Sequence, residues 1–189
     1  MSGKAIIICA PSGAGKTSIV KRLLAEMPYL SFSVSACSRQ KRESETNGKD
    51  YYFMSADEFR SGIRSGDFVE WEEVYPGSYY GSLKSELERI WNEDKVPIFD
   101  VDVKGGISLK SFFGLNALAI FIKPPSIEAL QRRLRNRGTE TGESLRKRLE
   151  RAEFELGFEN KFDLAVINES LEQACKDAGD AITQFLERK

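Results

Sequence analysis

Ala5 to Ala10 (AIIICA) is a continuous apolar run of strand length near the start of the chain. Unbroken hydrophobicity over so few residues suits a strand buried on both faces, as in a parallel sheet, and predicts the first, central strand. Beyond the loop PSGAG, apolar residues recur at helical spacing (Ile19, Val20, Leu23, Leu24, Met27) until Pro28 ends the pattern. Strand, glycine loop and helix therefore follow one another directly.

Phe32 to Cys37 predicts another short strand, and a polar stretch from Ser38 to Asp50 leads to an aromatic strand over Tyr51 to Met54. Ser55 and Glu58 spell a capping box that opens a helix running towards Gly66. Phe68 to Val74 reads as extended, Pro76 to Ser82 (PGSYYGS) as a turn carrying two tyrosines, and Leu83, Leu87, Ile90 and Trp91 as one helix face. Val96 to Val103 and Ala117 to Ile122 predict further strands, separated by a helix-length segment from Gly105 to Phe113. Ser126 is placed to N-cap a helix that runs into the basic stretch RRLRNRGTETGESLRKR. Leu164 to Asn168 predicts the last strand and Leu171 to Leu186 an amphipathic final helix. The alternation is that of an α/β fold.

The length of 189 residues argues for a single domain with a core of useful size, and 41% hydrophobic against 30% charged residues excludes a disordered chain. A formal charge of −1 gives no global attraction to nucleic acid or to an anionic membrane, so neither is expected as a partner and any anion site must be local. The early apolar run is too short for a spanning helix or a signal sequence, and three scattered cysteines suit a reducing compartment; a soluble, cytoplasmic protein is expected. The absence of histidine removes imidazole acid/base catalysis, His-based triads and HExxH zinc sites.

APSGAGKT, residues Ala10, Pro11, Ser12, Gly13, Ala14, Gly15, Lys16 and Thr17, fits the phosphate-binding pattern G-x-x-x-x-G-K-[ST] except for alanine at its first position. Glycines let main-chain N–H groups approach phosphate oxygens, and the following helix N-terminus adds a positive dipole end. Lys16 is placed to reach the β- and γ-phosphates, and the Thr17 hydroxyl to enter a Mg2+ shell. Ala10 is tolerated there if its φ is negative. Downstream, Ser35, Arg39, Arg42 and Tyr51 gather guanidiniums, a hydroxyl and a phenol suited to a phosphate monoester, and Glu70, Tyr80 and Ser82 follow.

With these stretches, and with NGKDYYF, FVEWEEV, YYGS, DVDVKG, the IKPPS turn and RNRGTETGESLRKRL in the same order, the chain resembles the guanylate kinase family over nearly its whole length. The resemblance implies a P-loop NTPase-type parallel sheet flanked by helices, with a small arm that binds the nucleoside monophosphate and a lid. It places the core at 1–32, 85–125 and 151–189, the arm at 33–84 and the lid at 126–150. It implies ATP plus GMP giving ADP plus GDP, with Mg2+; dGMP is expected as a weaker acceptor, and the chain as a monomer or homodimer. Glu70 would accept from guanine, Ser35 and Ser82 would supply hydroxyl contacts, and Arg39, Arg42, Tyr51 and Tyr80 would hold the GMP phosphate. Asp102 would assist on the base side. Asp100 resembles the acidic partner near the metal or lysine, although its position also suits a cap for the next segment. Arg133, Arg137 and Arg148 match the family's lid and helix arginines, which with Lys16 would offset the repulsion between two anionic substrates. Lys41 and Lys104 stand where proline and glutamine are common in the family.

Tyr79 reads as packing. Cys37, beside the arginine cluster, would have a lowered thiol pKa if exposed, and no catalytic role is assigned to it. D-x-x-G at Asp102 to Gly105 and N-K-x-D at Asn160 to Asp163 resemble GTPase motifs, but NKFD precedes an apolar strand where the GTPase motif follows one. A guanylate-kinase-like binding module is the non-enzymatic rival, and the intact Lys16 and Thr17 argue against it.

Overall fold

Every residue of β1 (Ala5–Cys9) is buried, and the pleat divides its side chains between two cores. Ile6 and Ile8 face one side; Ala5, Ile7 and Cys9 face the other. Such a strand needs helices on both faces, which the rest of the chain provides. The computed structural model describes residues 3–135 and 142–188, so Arg137 lies outside the described residues.

After β1 come α1 (Lys16–Glu26), β2 (Leu30–Phe32), β3 (Ala36–Cys37), β4 (Tyr52–Phe53), α2 (Ala56–Ser65), β5 (Phe68–Tyr75), β6 (Ser78–Leu83) and α3 (Lys84–Asn92). The chain continues through β7 (Val96–Val101), α4 (Val103–Phe113), β8 (Ala117–Lys123), α5 (Ile127–Arg135), α6 (Gly142–Leu156), β9 (Leu164–Ile167) and α7 (Leu171–Glu187). The larger sheet runs β2-β7-β1-β8-β9, parallel throughout, with β1 at its centre as its apolar run predicts. Helices α1 and α7 cover the Ile6 and Ile8 face through Ile19, Val20, Leu23, Ala174, Ala178 and Ile182. Helices α3 and α4 cover the opposite face through Leu87, Leu109 and Phe113. Each such fully buried aliphatic or aromatic side chain contributes roughly 1.5–3 kcal/mol.

A smaller sheet, β4-β3-β6-β5, stands apart from the first, with its own core of Ala36, Phe59, Phe68 and Tyr79. Tyr79 packs here, stacked on Phe59 with ring centroids 5.4 Å apart, as expected. The Ser55–Glu58 capping box is present in both directions at 3.2 and 2.7 Å, and Ser126 Oγ accepts from Ala129 N at 3.1 Å.

Three boundaries differ from the sequence reading. Phe32 to Cys37 is not one strand: Ser33 N still donates to Ile98 O, but Val34 N donates to Glu86 Oε1, and the chain leaves the large sheet to begin β3 in the small one. Pro76 to Ser82 is a turn only at its start, where Gly77 has φ +77°; from Ser78 the two tyrosines lie in β6, alternating faces. The strand beginning at Val96 stops at Val101, because Asp102 N-caps α4, its Oδ1 accepting from Gly105 N at 2.9 Å. The capping role that Asp100 could have taken thus belongs to Asp102.

The chain crosses between the two sheets near Val34 and again near Glu86, and one carboxylate serves both crossings. Glu86 is 2% exposed and accepts from Val34 N at 3.1 Å, from Tyr52 Oη at 2.8 Å and from Arg89 Nη2 at 2.9 Å. A buried charge without such partners would be strongly destabilising.

Candidate active site

The loop from Ala10 to Thr17 lies at the carboxyl end of β1, where open α/β sheets place their ligand sites. Gly13 and Gly15 take left-handed backbone, φ +91° and +94°, and any side chain there would collide. A Cβ on Gly13 would sit 2.8 Å from Leu134 Cδ2, and one on Gly15 would sit 2.4 Å from Asn168 Nδ2. Ala10 is not among the positive-φ residues, so alanine is accommodated at the motif's first position.

Asp100 comes from the end of β7. It pairs with Lys16, whose ammonium also donates to Val101 O, and its Oδ2 accepts from Thr17 Oγ1 at 3.1 Å. The ammonium, the hydroxyl and the carboxylate thus stand together at the mouth of the loop. Arg133, on α5, reaches back to the loop from outside: Nη1 donates to Ala14 O at 3.3 Å and Nη2 to Asn168 O at 2.7 Å. Asn168 completes the brace, its Nδ2 donating to the same Ala14 O at 2.7 Å. Across the loop, Ser12 N donates to Glu155 Oε2 at 3.3 Å.

A cavity of about 530 Å³ opens over this loop, lined by all eight motif residues and by Tyr75, Asp102, Lys147, Arg148, Arg151 and Glu155. A second cavity, of about 320 Å³, lies between the two sheets. Its lining includes Ser35, Tyr51, Glu70, Glu72, Tyr80, Asp100, Asp102 and Arg151. Six residues singled out on the acceptor side (Ser35, Tyr51, Glu70, Tyr80, Asp100 and Asp102) therefore meet in one cavity. Ser82 is buried behind it and its hydroxyl donates to Glu70 Oε1 at 2.8 Å. Burial pushes the Glu70 carboxyl up to about 7, against the pull of that hydrogen bond.

Arg39 is not on the cavity wall in this state. Glu45 holds it through both carboxylate oxygens, and its guanidinium lies 5.0 Å from the Tyr51 ring centroid. Arg42 is exposed, and its hydrogen bonds to Glu45 are made by the backbone, its N–H donating to Oε2 at 2.9 Å and its carbonyl accepting from Glu45 N at 3.1 Å. Cys37 is fully buried and burial pushes its thiol up, the reverse of what exposure beside Arg39 would have given. Lys41 donates to Glu45 O, and Lys104 pairs with Glu72 at 2.8 Å on the rim of the second cavity.

Asn168, Glu155 and Arg151 were not singled out from sequence. Asn168 carried a signal, a polar residue ending an apolar strand. Glu155 and Arg151 carried a weaker one, opposite charges one helical turn apart on the helix that bears Arg148.

A family model described as guanylate kinase matches residues 2–185. The chain is 50% identical over 184 residues to a guanylate kinase of Porphyromonas gingivalis, covering 97% of this chain and 98% of that one. It is 48% identical over 181 residues to the guanylate kinase of Salinibacter ruber, covering 96% of each. Among solved structures, the guanylate kinase from Anaplasma phagocytophilum superposes with a TM-score of 0.76 at 26% identity, covering all of this chain and 88% of that one. Whole-length similarity in sequence and backbone, joined to a phosphate loop facing a carboxylate-floored cavity, makes this chain a member of the guanylate kinase family.

Proposed function

We propose that this chain transfers the γ-phosphoryl group of ATP to GMP, and to dGMP, giving ADP and GDP. The observation that carries the reading is Glu70, held from behind by the Ser82 hydroxyl and lining, with Ser35, a cavity that shares a wall with the phosphate-loop cavity. A carboxylate beside a hydroxyl matches guanine, whose Watson–Crick edge offers N–H donors next to an acceptor oxygen, and rejects adenine, which lacks that donor pair.

In the step itself, the bond between the β,γ-bridging oxygen and the γ-phosphorus breaks, and an acceptor phosphate oxygen forms a new bond to that phosphorus. The attacking oxygen is already anionic near neutral pH, so no base has to remove a proton and the lack of histidine removes nothing the step requires. The residues' work is to hold charge. Main-chain amides of Gly13 to Thr17 and the Lys16 ammonium serve the donor; Arg39, Arg42, Tyr51 and Tyr80 serve the acceptor phosphate. Asp102 serves the base side, and Arg137 and Arg148 the transferring group, which Arg133 would reach only by leaving Ala14 O and Asn168 O, where it braces the donor loop from outside the cavity.

A divalent metal fits the donor set. The Thr17 hydroxyl and Asp100 carboxylate are hard oxygen ligands 3.1 Å apart, and among the described residues no cluster of three or more His, Cys, Asp or Glu could hold an ion alone. That pattern suits Mg2+, which takes one or two protein oxygens and completes its shell with phosphates and water. When bound, the ion neutralises phosphate charge.

The small sheet with its connections, 33–84, is assigned as the monophosphate-binding arm and 126–150 as the lid, both moving against a core of 1–32, 85–125 and 151–189. Three buried, unpaired cysteines suit a reducing, cytoplasmic setting, and a place in purine nucleotide metabolism follows from the proposed reaction. A monomer or homodimer suffices, since each chain carries both cavities, and neither nucleic acid nor membrane is required as a partner. No helix of the described chain is long and apolar enough to cross a membrane.

A coupled ADP assay with Mg-ATP and each of GMP, AMP, CMP and UMP tests the reading. GMP should outrun the others by orders of magnitude, and AMP outrunning GMP would refute it.

A further inference from the structure

The wall between the two cavities is an ion pair. Asp102 and Arg151 line both of them, with Arg151 Nη2 3.3 Å from Asp102 Oδ2. Arg151 Nε donates to Glu155 Oε1 at 2.7 Å, and the other oxygen of Glu155 accepts from Ser12 N of the phosphate loop. One guanidinium is therefore held by a carboxylate from each side of the junction. Glu155, 7% exposed, anchors it to the donor loop, and Asp102, the cap of α4, anchors it to the acceptor cavity. The Nη1 edge has no hydrogen-bond partner among the described residues, and the side chain is 55% exposed.

Arg151 is the cation that lines both cavities, whereas Lys147 and Arg148 line the first alone and two other cations of the site are drawn to carboxylates. Lys16 is drawn to Asp100, and Arg39 is held by Glu45. The two carboxylates orient the Arg151 fork in advance, so it needs no reorganisation as charge develops. They also leave a local excess of negative charge if it is lost. We propose that Arg151 is a further catalytic residue of this phosphotransferase, donating its open Nη1 edge to phosphate oxygens where donor and acceptor meet. The inference rests on the reaction proposed above.

Steady-state kinetics of the full chain with Mg-ATP and GMP provide the test, with thermal melts confirming that each variant folds. R151A should lower kcat about 100-fold, the scale of losing one preorganised donor, while each KM moves less than about threefold. R151K should recover part of the rate, and added guanidinium ion should raise the rate of R151A but not of wild type. R151Q keeps part of the stem and carries the same expectation should R151A fail to fold. An unchanged kcat, or a loss confined to the KM of one substrate, overturns the proposal. So does a silent R151A in a D102N background, because that result would mean Arg151 acts only by holding Asp102; a further loss of about tenfold is expected instead. A wild-type chain inactive on GMP would sink the proposed reaction and this role together, whereas an active wild type with an equally active R151A would sink this role alone.

Discussion

Glu45 grips Arg39 with both carboxylate oxygens, at 2.7 and 2.6 Å, and accepts the Arg42 backbone N–H at 2.9 Å as well. The pairing holds the guanidinium over Tyr51, 5.0 Å from the ring centroid, beside the cavity that Tyr51 lines. Replacing Glu45 with Ala should leave Arg39 unaimed and raise the GMP KM about tenfold with the ATP KM unchanged, the scale of a lost charge-assisted contact. Equal effects on both substrates would show that Glu45 does not serve the acceptor side. Hydrogen bonds from Arg39, then from the Arg42 backbone, hold the Glu45 carboxyl at about 2 rather than 4.5. A depressed carboxyl contributes fully above its unfolded value, so this pairing supports the fold above about pH 4.5 and is lost as pH falls through 2.

Glu70 runs the other way. Its folded carboxyl sits near 7, above the ordinary 4.5, so between those values the folded state binds the extra proton and stability falls as pH rises through the window. Guanine donors require the ionised form. The GMP KM should therefore rise as pH drops below about 7, by at most about tenfold per pH unit, while the ATP KM stays level. E70Q should abolish that bend and weaken GMP about 100-fold, near the penalty for a mismatched buried hydrogen bond. A wild-type profile flat from about pH 5.5 to 8 would contradict the ionisation assigned here.

Lys16→Ala removes the ammonium that joins the phosphate loop to Asp100 and Val101 O. Turnover should fall by two to three orders of magnitude, roughly the value of one lost transition-state donor, with the melting temperature little changed. Near-normal turnover would remove Lys16 from the mechanism.

Gly15→Ala combines φ +94° with a Cβ 2.4 Å from Asn168 Nδ2. Asn168 would have to release Ala14 O, so both stability and ATP affinity should drop, the former by about 1–3 kcal/mol from backbone strain alone. N168A makes the complementary test: it removes the amide that braces the loop without straining φ, and should raise the ATP KM while leaving the GMP KM unchanged. A melting midpoint and ATP KM identical to wild type would show that the brace is idle.

The central strand, the glycine loop and the capped helices were legible because each rests on local rules: an apolar run, a fixed spacing, a cap three residues from its partner. The split of Phe32 to Cys37 was not, because the residues stay extended and what changes is the sheet they pair with, a choice made by Ile98 and Glu86 far along the chain. Ser78 to Leu83 hid its strand behind turn-forming residues, since Gly81 is needed where any Cβ would lie 2.6 Å from Glu70 O, not for a turn. In the site, the types of residue were readable but their engagements were not. The resemblance pointed Asp100 to the lysine it meets, but that Asp102 caps a helix, or that Glu45 occupies Arg39, depends on which way neighbouring side chains face, and periodicity does not encode that across a strand end.

The strand that carries the phosphate loop pairs only with β7 and β8, both in the second half of the chain. During synthesis, then, the segment from Ala5 to Cys9 leaves the ribosome with nothing to zip against until more than half the protein has emerged. The nucleotide pocket is consequently a late product of folding. A nascent or truncated chain that stops before β8 exposes a sticky, β-prone tract and invites chaperone capture or aggregation.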